Sequence, residues 1–188
     1  MNVTLRALNR FGLGARQGER QRISDARGWL KAQLDGGGPV LRSTDATSPA
    51  SLGDAVRGLR MPGQRDEQER REARRRLVEL AASEARTALD ARLASDRPFV
   101  ERLVAFWSNH LCVSAGSKIL VAPLAGSYER DAIRPHVLGR FEDMVLASAK
   151  HPAMLAYLDN FQSIGPSSPG ARAGQRNSGA RRGLNENY

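Results

Sequence analysis

PFVERLVAFWSNHLCVS, residues 98–114, is the most apolar stretch of the sequence and decides its fold. Its large apolar side chains and one histidine recur at steps of three and four residues: Phe99, Leu103, Phe106, Trp107, His110 and Leu111. This period is typical of an α-helix that turns one face to a core. Pro98 suits the first turn, where a missing N–H costs no hydrogen bond. The stretch therefore predicts the central helix of the fold, with His110 on its buried face.

Two shorter helices are predicted before residue 40. The first begins near Thr4, and its pattern breaks at Gly12. The second begins after Ser24, which we predict to be its N-cap because a serine side chain can accept a bond from a first-turn N–H. Asp25 then suits the first turn, and a run of glycines at 36–38 ends the helix.

A long charged helix is predicted over residues 64–95. Glutamate precedes arginine by four residues at Glu67–Arg71 and Glu72–Arg76, the favourable order for ion pairs along a helix. One narrow stripe is predicted to face the protein: Leu77, Leu80, Glu84, Leu89 and Leu93. The pattern indicates a solvated helix docked along one edge.

The second half of the chain predicts further helices and no strand. Residues 114–127 are predicted to be a connection, and a helix is predicted from Tyr128 with an interruption at Pro135. The segment FEDMVLASAK is amphipathic, and a short new helix is predicted to start at Pro152. The fold class is therefore predicted to be all-α, with long loops rich in Gly, Pro and Ser.

Two segments are predicted to be loops within a single helical domain spanning 1–188. Residues 40–63 are rich in Ser, Thr, Gly and Pro and predict a flexible linker. Residues 162–183 carry glycines and arginines but no acidic residue, and they predict a mobile loop.

The net charge of +9 raises the question of nucleic acid. Residues 1–31 carry seven basic and two acidic side chains, and residues 162–188 carry four and one. The excess therefore lies at the two ends, and the charges between them nearly cancel. Of the 29 basic residues, 26 are arginine, which together with the abundant Ala and Gly is typical of GC-rich coding. Nucleic acid is accordingly the least favoured partner, since it calls for a contiguous basic surface.

Two further expectations concern the cellular compartment of the chain and the role of its cysteine. No run reaches the roughly 20 apolar residues of a membrane span, and the N-terminus shows no signal-peptide core. The chain as written is expected to be cytoplasmic, with export as the alternative if the true N-terminus is missing. Cys112, the only cysteine, lies among apolar residues and is expected to be a small buried side chain rather than a nucleophile.

Four segments carry a resemblance to a known family: ALNRFGLGAR, FWSNHL, IRPHVLGRFEDMVLASAKHPAMLAYLDN and GLNENY. In order and spacing they resemble the bacterial DUF1800 family, whose biochemical function is not established. The resemblance implies a mostly helical fold and a partner from a second uncharacterised family, DUF1501. It also implies a longer helical region after GLNENY, so the chain is expected to be the N-terminal part of such a protein, truncated after this motif.

The resemblance marks a set of signature positions, most of them polar: Trp107, Asn109, His110, Arg134, His136, His151, Pro152, Asp159, Asn160, Asn185, Glu186, Asn187 and Tyr188. A structural interpretation assigns them to helix ends and the core, with His151 capping the helix at Pro152 and Asn185 capping a later one. The alternative is a shared divalent-metal site made of His110, Asp159 and Glu186. Carboxylates suit Ca²⁺ or Mg²⁺, and an added histidine suits Mn, Fe or Zn.

Three functions stay open on the sequence alone. The first is a component of a metal-dependent or partner-dependent bacterial system, whose site a missing C-terminal region completes. The second is a non-catalytic helical scaffold or binding subunit, and nucleic-acid binding comes last. The sequence contains no HExxH, CxxC, GxSxG or Walker A motif, and no residue is assigned a catalytic or cofactor-binding role.

Overall fold

A computed structural model of the protein describes residues 2–42, 67–165, 168–169, 183–185 and 187. These residues form helices and turns without a strand among them, which confirms the all-α prediction. The α-helices are α1 (Val3–Phe11), α2 (Glu19–Arg22), α3 (Ala26–Ala32), α4 (Glu67–Ala94), α5 (Pro98–His110), α6 (Ala122–Tyr128), α7 (Phe141–Lys150) and α8 (Pro152–Tyr157). A π-helical turn covers Glu129–Ile133, and 3-10 turns cover Arg134–His136 and Asn160–Gln162.

The hydrophobic core lies between α5 and the helices that follow it. Its fully buried members include Val100, Val104, Val121, Ile133 and Ala153. The predicted central helix therefore exists, and Pro98 stands in its first turn as expected.

The buried face of α5 differs from the predicted one. Val100, Glu101 and Val104 are buried, whereas Phe106 is 56% exposed and His110 is exposed. The prediction that His110 lies in the core was wrong. The helix packs on the π-helical turn with its valine side, and Phe106 and His110 are left at the surface.

The stripe predicted along α4 is correct in its middle and wrong at its end. Leu77 and Glu84 are buried, but the next buried position is Ala88, and Leu89 and Leu93 are exposed. The reason is the close approach of α6. A Cβ atom placed on Gly126 would lie 2.4 Å from the Cβ of Glu84, so only glycine fits at position 126.

Three local predictions are corrected by hydrogen bonding and exposure. Asp25, not Ser24, is the N-cap of α3, because its side chain accepts a 2.9 Å bond from the N–H of Arg27. The α6 helix begins at Ala122, inside the predicted connection, because Pro123 stands in its first turn and does not interrupt it. Cys112 is exposed, since it follows the end of α5.

Arginine side chains tie the N-terminal segment to the rest of the fold. Arg16 donates to the carbonyl oxygens of Leu93 and Ser95, the latter at 3.0 Å. Arg97 donates to the carbonyl oxygen of Gln33 at 2.9 Å, and Arg102 donates to that of Gly12 at 2.7 Å. These guanidinium groups satisfy backbone acceptors that the adjoining turns leave without a helical partner.

The two predicted loops fall largely outside the described residues. Residues 43–63 of the first, and 166–167 and 170–182 of the second, are among those that the structure does not describe, as are residues 64–66 of the predicted long helix. Within the described part of the chain, no helix combines the length and apolarity required to cross a membrane.

Candidate functional site

Arg134, from the IRPH signature, is the most deeply buried charge in the described structure, with 1% of its surface exposed. Its Nη1 and Nη2 atoms donate to the two carboxylate oxygens of Glu101, both at 2.9 Å. Its Nε atom donates to Glu129 at 3.0 Å. The two-pronged pairing matches the planar fork of a guanidinium to a carboxylate. The pair joins α5 to the 3-10 turn that begins at Arg134.

Two further ion pairs extend this cluster to α4. Glu129 also accepts from Arg92 of α4. Arg130, the next residue along, donates to both oxygens of Glu84 at 2.8 and 2.9 Å. Each acidic side chain in the cluster therefore accepts from at least one arginine, and three segments distant in sequence meet here.

The charge of Arg134 is held in place by these partners. Burial by itself would lower the pKa of Arg134, but the hydrogen bonds and attraction of Glu101 and Glu129 outweigh it and raise the pKa above its ordinary value. Arg134 therefore keeps its positive charge in spite of its burial. Its role in the structure is to hold helices together.

His151 caps α8, as its position before Pro152 predicted. The Nδ1 atom accepts a 3.1 Å bond from the N–H of Ala153, so the proton of the neutral ring sits on Nε2. That atom lies 3.9 Å from a carboxylate oxygen of Asp131. Burial lowers the pKa of His151; the attraction of Asp131 opposes this, and the positive charge of Arg130 adds to it.

Tyr128 packs against His151 with ring centroids 5.4 Å apart. Its hydroxyl donates to the carbonyl oxygen of Leu111 at 2.7 Å and lies 2.6 Å from the Oγ of Ser148. Because the phenol has one proton, Ser148 is the donor of the second bond. This buried chain connects α6, α7 and the end of α5.

The two most specific signature motifs meet at one polar junction. The side-chain amide of Asn185 donates to the carbonyl oxygen of Leu158 at 2.6 Å, and its backbone N–H donates to the Oγ of Ser163 at 3.0 Å. The N–H of Asn187 donates to Oδ1 of Asn185 at 3.0 Å, which is the contact an N-cap residue makes. A cavity of about 720 Å³ lies between the segments, and its lining includes Asp159 and Asn185.

Asp159, at this junction, is paired with a lysine that the sequence did not single out. The Nζ atom of Lys118 lies 2.7 Å from Oδ2 of Asp159 and donates to the carbonyl oxygens of Ala156 and Tyr157. Asp159 has a φ of +60°, so it takes the left-handed position after α8. Asn160, the next residue, accepts a 3.0 Å bond from Ser163.

The FWSNH signature forms an aromatic cluster at the surface. Trp107 stands at its centre, 5.0 Å from Phe106, 5.6 Å from His110 and 5.2 Å from Phe141 of α7 between ring centroids. Phe106 and His110 stack with nearly parallel rings at 5.9 Å. Phe106 and Phe141 are 56% and 53% exposed. We call these four residues the aromatic surface.

The predicted metal ligands occupy different surroundings. His110 belongs to the aromatic surface, Asp159 is paired with Lys118, and Glu186 lies outside the described residues. Among the described residues there is no group of three or more His, Cys, Asp or Glu side chains that could hold a metal ion. The triad itself, which includes Glu186, stays a prediction.

The remaining described signature positions lie at the surface, in a turn or at the start of a helix. Asn109 is exposed near the end of α5, His136 is half-buried in the 3-10 turn, and Pro152 is the first residue of α8. Tyr188 lies outside the described residues. Sequence reasoning missed the acidic partners of Arg134, although an isolated glutamate within an apolar helix, as at Glu101, was a usable signal.

Taken together, these features define an all-helical domain whose core surrounds an arginine–carboxylate cluster and whose surface carries a row of aromatic rings. The sequence profile of the family described as "Protein of unknown function (DUF1800)" matches residues 6–188. The chain therefore belongs to the DUF1800 family. No curated protein and no solved structure matches it.

Replacing Arg134 by Met should lower the free energy of unfolding by about 3–5 kcal/mol, because Glu101 would stay buried without its cation. Chemical denaturation followed by circular dichroism measures this change. The control is Arg71→Met, which breaks the exposed Glu67–Arg71 pair on α4 and should leave stability within experimental error. Equal effects of the two substitutions would contradict the role given to Arg134.

The stability of the protein should fall as pH drops below about 6.5, the ordinary pKa of histidine. Since the pKa of His151 is lowered by folding, the unfolded chain takes up the proton first, and the stabilising contribution is lost as pH falls through the folded value. His151→Asn keeps a capping side chain that does not titrate, so the difference in unfolding free energy between pH 7.5 and 5.5 should shrink. His110→Asn, at an exposed position, is the control. An unchanged pH dependence in His151→Asn would refute this assignment.

Proposed function

We propose that this domain is a helical binding module and that a partner protein docks on the aromatic surface. The observation that carries the proposal is the exposure of Phe106 and Phe141 beside Trp107. Contiguous exposed apolar groups on a soluble protein mark interaction sites, and aromatic residues are enriched at the energetic centre of interfaces.

The rings of the aromatic surface support one another. Trp107 is partly buried and packs against the core, while Phe106, His110 and Phe141 contact its ring. Fixed rings lose little side-chain entropy on association, so more of the contact energy appears as affinity. The polar groups of Asn109 and of the Arg140–Glu142 pair lie on the same two helices or next to them, and they can supply a hydrated rim.

The partner proposed here is a DUF1501-family protein, the class that the family resemblance implied. The test is a binding titration with the DUF1501-family protein encoded in the same genome. Phe106→Ala and Phe141→Ala should each weaken its affinity tenfold or more. Leu89→Ala and Leu93→Ala on α4 remove similarly exposed apolar side chains and should have no effect. Unchanged affinity in the two phenylalanine variants would exclude the aromatic surface, and no binding by the wild-type chain would exclude this partner.

Metal binding by His110, Asp159 and Glu186 is the second candidate function. What favours a site near Asp159 is the bond between Asn185 and Leu158, because these residues immediately precede Glu186 and Asp159 in the sequence. A cation would have to compete with the ammonium group of Lys118 for Asp159. Oxygen ligands of this kind suit Ca²⁺ or Mg²⁺.

Elemental analysis of the purified chain tests the metal proposal. We expect about one divalent ion per chain, lost in Asp159→Ala and retained in the surface control Asp143→Ala. Lys118→Met should raise the occupancy, because it removes the competing cation. Metal-free wild-type protein, or full retention in Asp159→Ala, would end this proposal.

A further inference from the structure

A second candidate binding feature lies at the N-terminal end of the chain, between α1 and α3. It is a groove of about 240 Å³ with apolar walls formed by Val3, Ala7, Phe11, Ala26 and Leu30. Three arginines complete the lining: Arg6 and Arg10, one turn apart on α1, and Arg27 on α3. Val3 is 71% exposed, so the groove opens to solvent.

These three arginines differ from the others discussed above. Arg92, Arg130 and Arg134 are paired with glutamates, and Arg16, Arg97 and Arg102 bind backbone carbonyl oxygens. The side chains of the three groove arginines, by contrast, contact no carboxylate anywhere in the described part of the chain, and all three are exposed. Residues 1–31 carry seven basic side chains and two acidic ones, so the local charge is strongly positive.

We propose that this groove receives an acidic peptide segment of a protein partner. One or two large apolar side chains of the segment enter the groove, and its carboxylates pair with the guanidinium groups of Arg6, Arg10 and Arg27. The match rests on charge complementarity and on shape. Guanidinium groups bind carboxylates through two parallel bonds, and an amphipathic segment presents apolar and acidic groups side by side.

The size and form of the groove favour a peptide over other anionic partners. It is smaller than the pockets of about 300–1,000 Å³ that enclose small ligands, and it suits single side chains. A bilayer surface is flat and does not enter a cleft between two helices. Nucleic-acid phosphates would pair with the arginines but would make no favourable contact with the apolar walls.

This inference does not depend on the proposed function. The groove uses α1 and α3, which contribute no residue to the aromatic surface on α5 and α7. The failure of one proposal leaves the other standing, because the substitutions that test them share no position.

Fluorescence anisotropy of the full chain with a labelled 12-residue helical peptide, leucine on one face and glutamate at the other positions, tests the groove. We expect binding that weakens at least tenfold when every glutamate of the peptide is replaced by glutamine. The triple variant Arg6→Gln, Arg10→Gln, Arg27→Gln should lose at least tenfold in affinity. The control triple variant Arg70→Gln, Arg74→Gln, Arg86→Gln removes the same charge from exposed positions of α4 and should bind as the wild type does.

Val3→Ser, at a largely exposed position, removes part of the apolar wall and should weaken binding at least threefold, which provides a test that does not alter charge. Circular dichroism verifies that each variant is folded. Equal losses in the two triple variants, equal binding of the glutamine peptide, or wild-type affinity in Val3→Ser would overturn the proposal. Groove-dependent binding of phosphatidylserine vesicles or duplex DNA in preference to the peptide would overturn it as well.

Discussion

The buried guanidinium of Arg134, bound by Glu101 and Glu129, is the constraint on which the rest of the structure depends. A charge at this depth is tolerated only when its hydrogen-bond donors have well-oriented partners. To provide these partners, α5, the π-helical turn and the 3-10 turn must adopt one relative arrangement. The pairs from Arg92 and Arg130 to Glu129 and Glu84 then fix α4 to the same centre. Apolar packing supplies most of the driving force, and the ionic cluster favours the arrangement in which its buried charges are paired.

Many arginines of the chain therefore have a structural role, which the net charge alone does not reveal. Several arginines pair with buried glutamates, and others bind backbone carbonyl oxygens where the N-terminal segment meets α4 and α5. Guanidinium groups serve both purposes because each offers five donors in a rigid plane. The arginines of the α1–α3 groove have no such partners among the described residues, and they differ from other exposed arginines in lining an apolar groove.

The sequence predicted the helices well and their buried faces less well. Period and capping residues located α1, α5, α7 and α8, because these signals depend on local geometry. The face of α5 was misjudged because hydrophobic size favoured Phe106, whereas the cluster around Arg134 required the face bearing Glu101. The end of the stripe on α4 was misjudged for a related reason, since the buried face is set by the close approach of α6 to Glu84 at Gly126, which the period of the leucines does not show.

The candidate sites likewise include contacts that the sequence could predict and contacts that it could not. The His151 cap follows from the residue type and its place before proline, and it was predictable. The pairing of Asp159 with Lys118 joins residues 41 positions apart, and no local signal marks it. The meeting of Asn185 with Leu158 likewise depends on tertiary structure, although the resemblance had marked both motifs.

Hydrogen exchange measured along the chain, in the wild type and in Arg134→Met, tests the central claim most directly. If the cluster organises the core, the variant will lose amide protection together in α4, α5 and residues 129–136, although only one side chain has changed. Loss of protection confined to the immediate neighbours of residue 134, with α4 and α5 unchanged, would contradict the account.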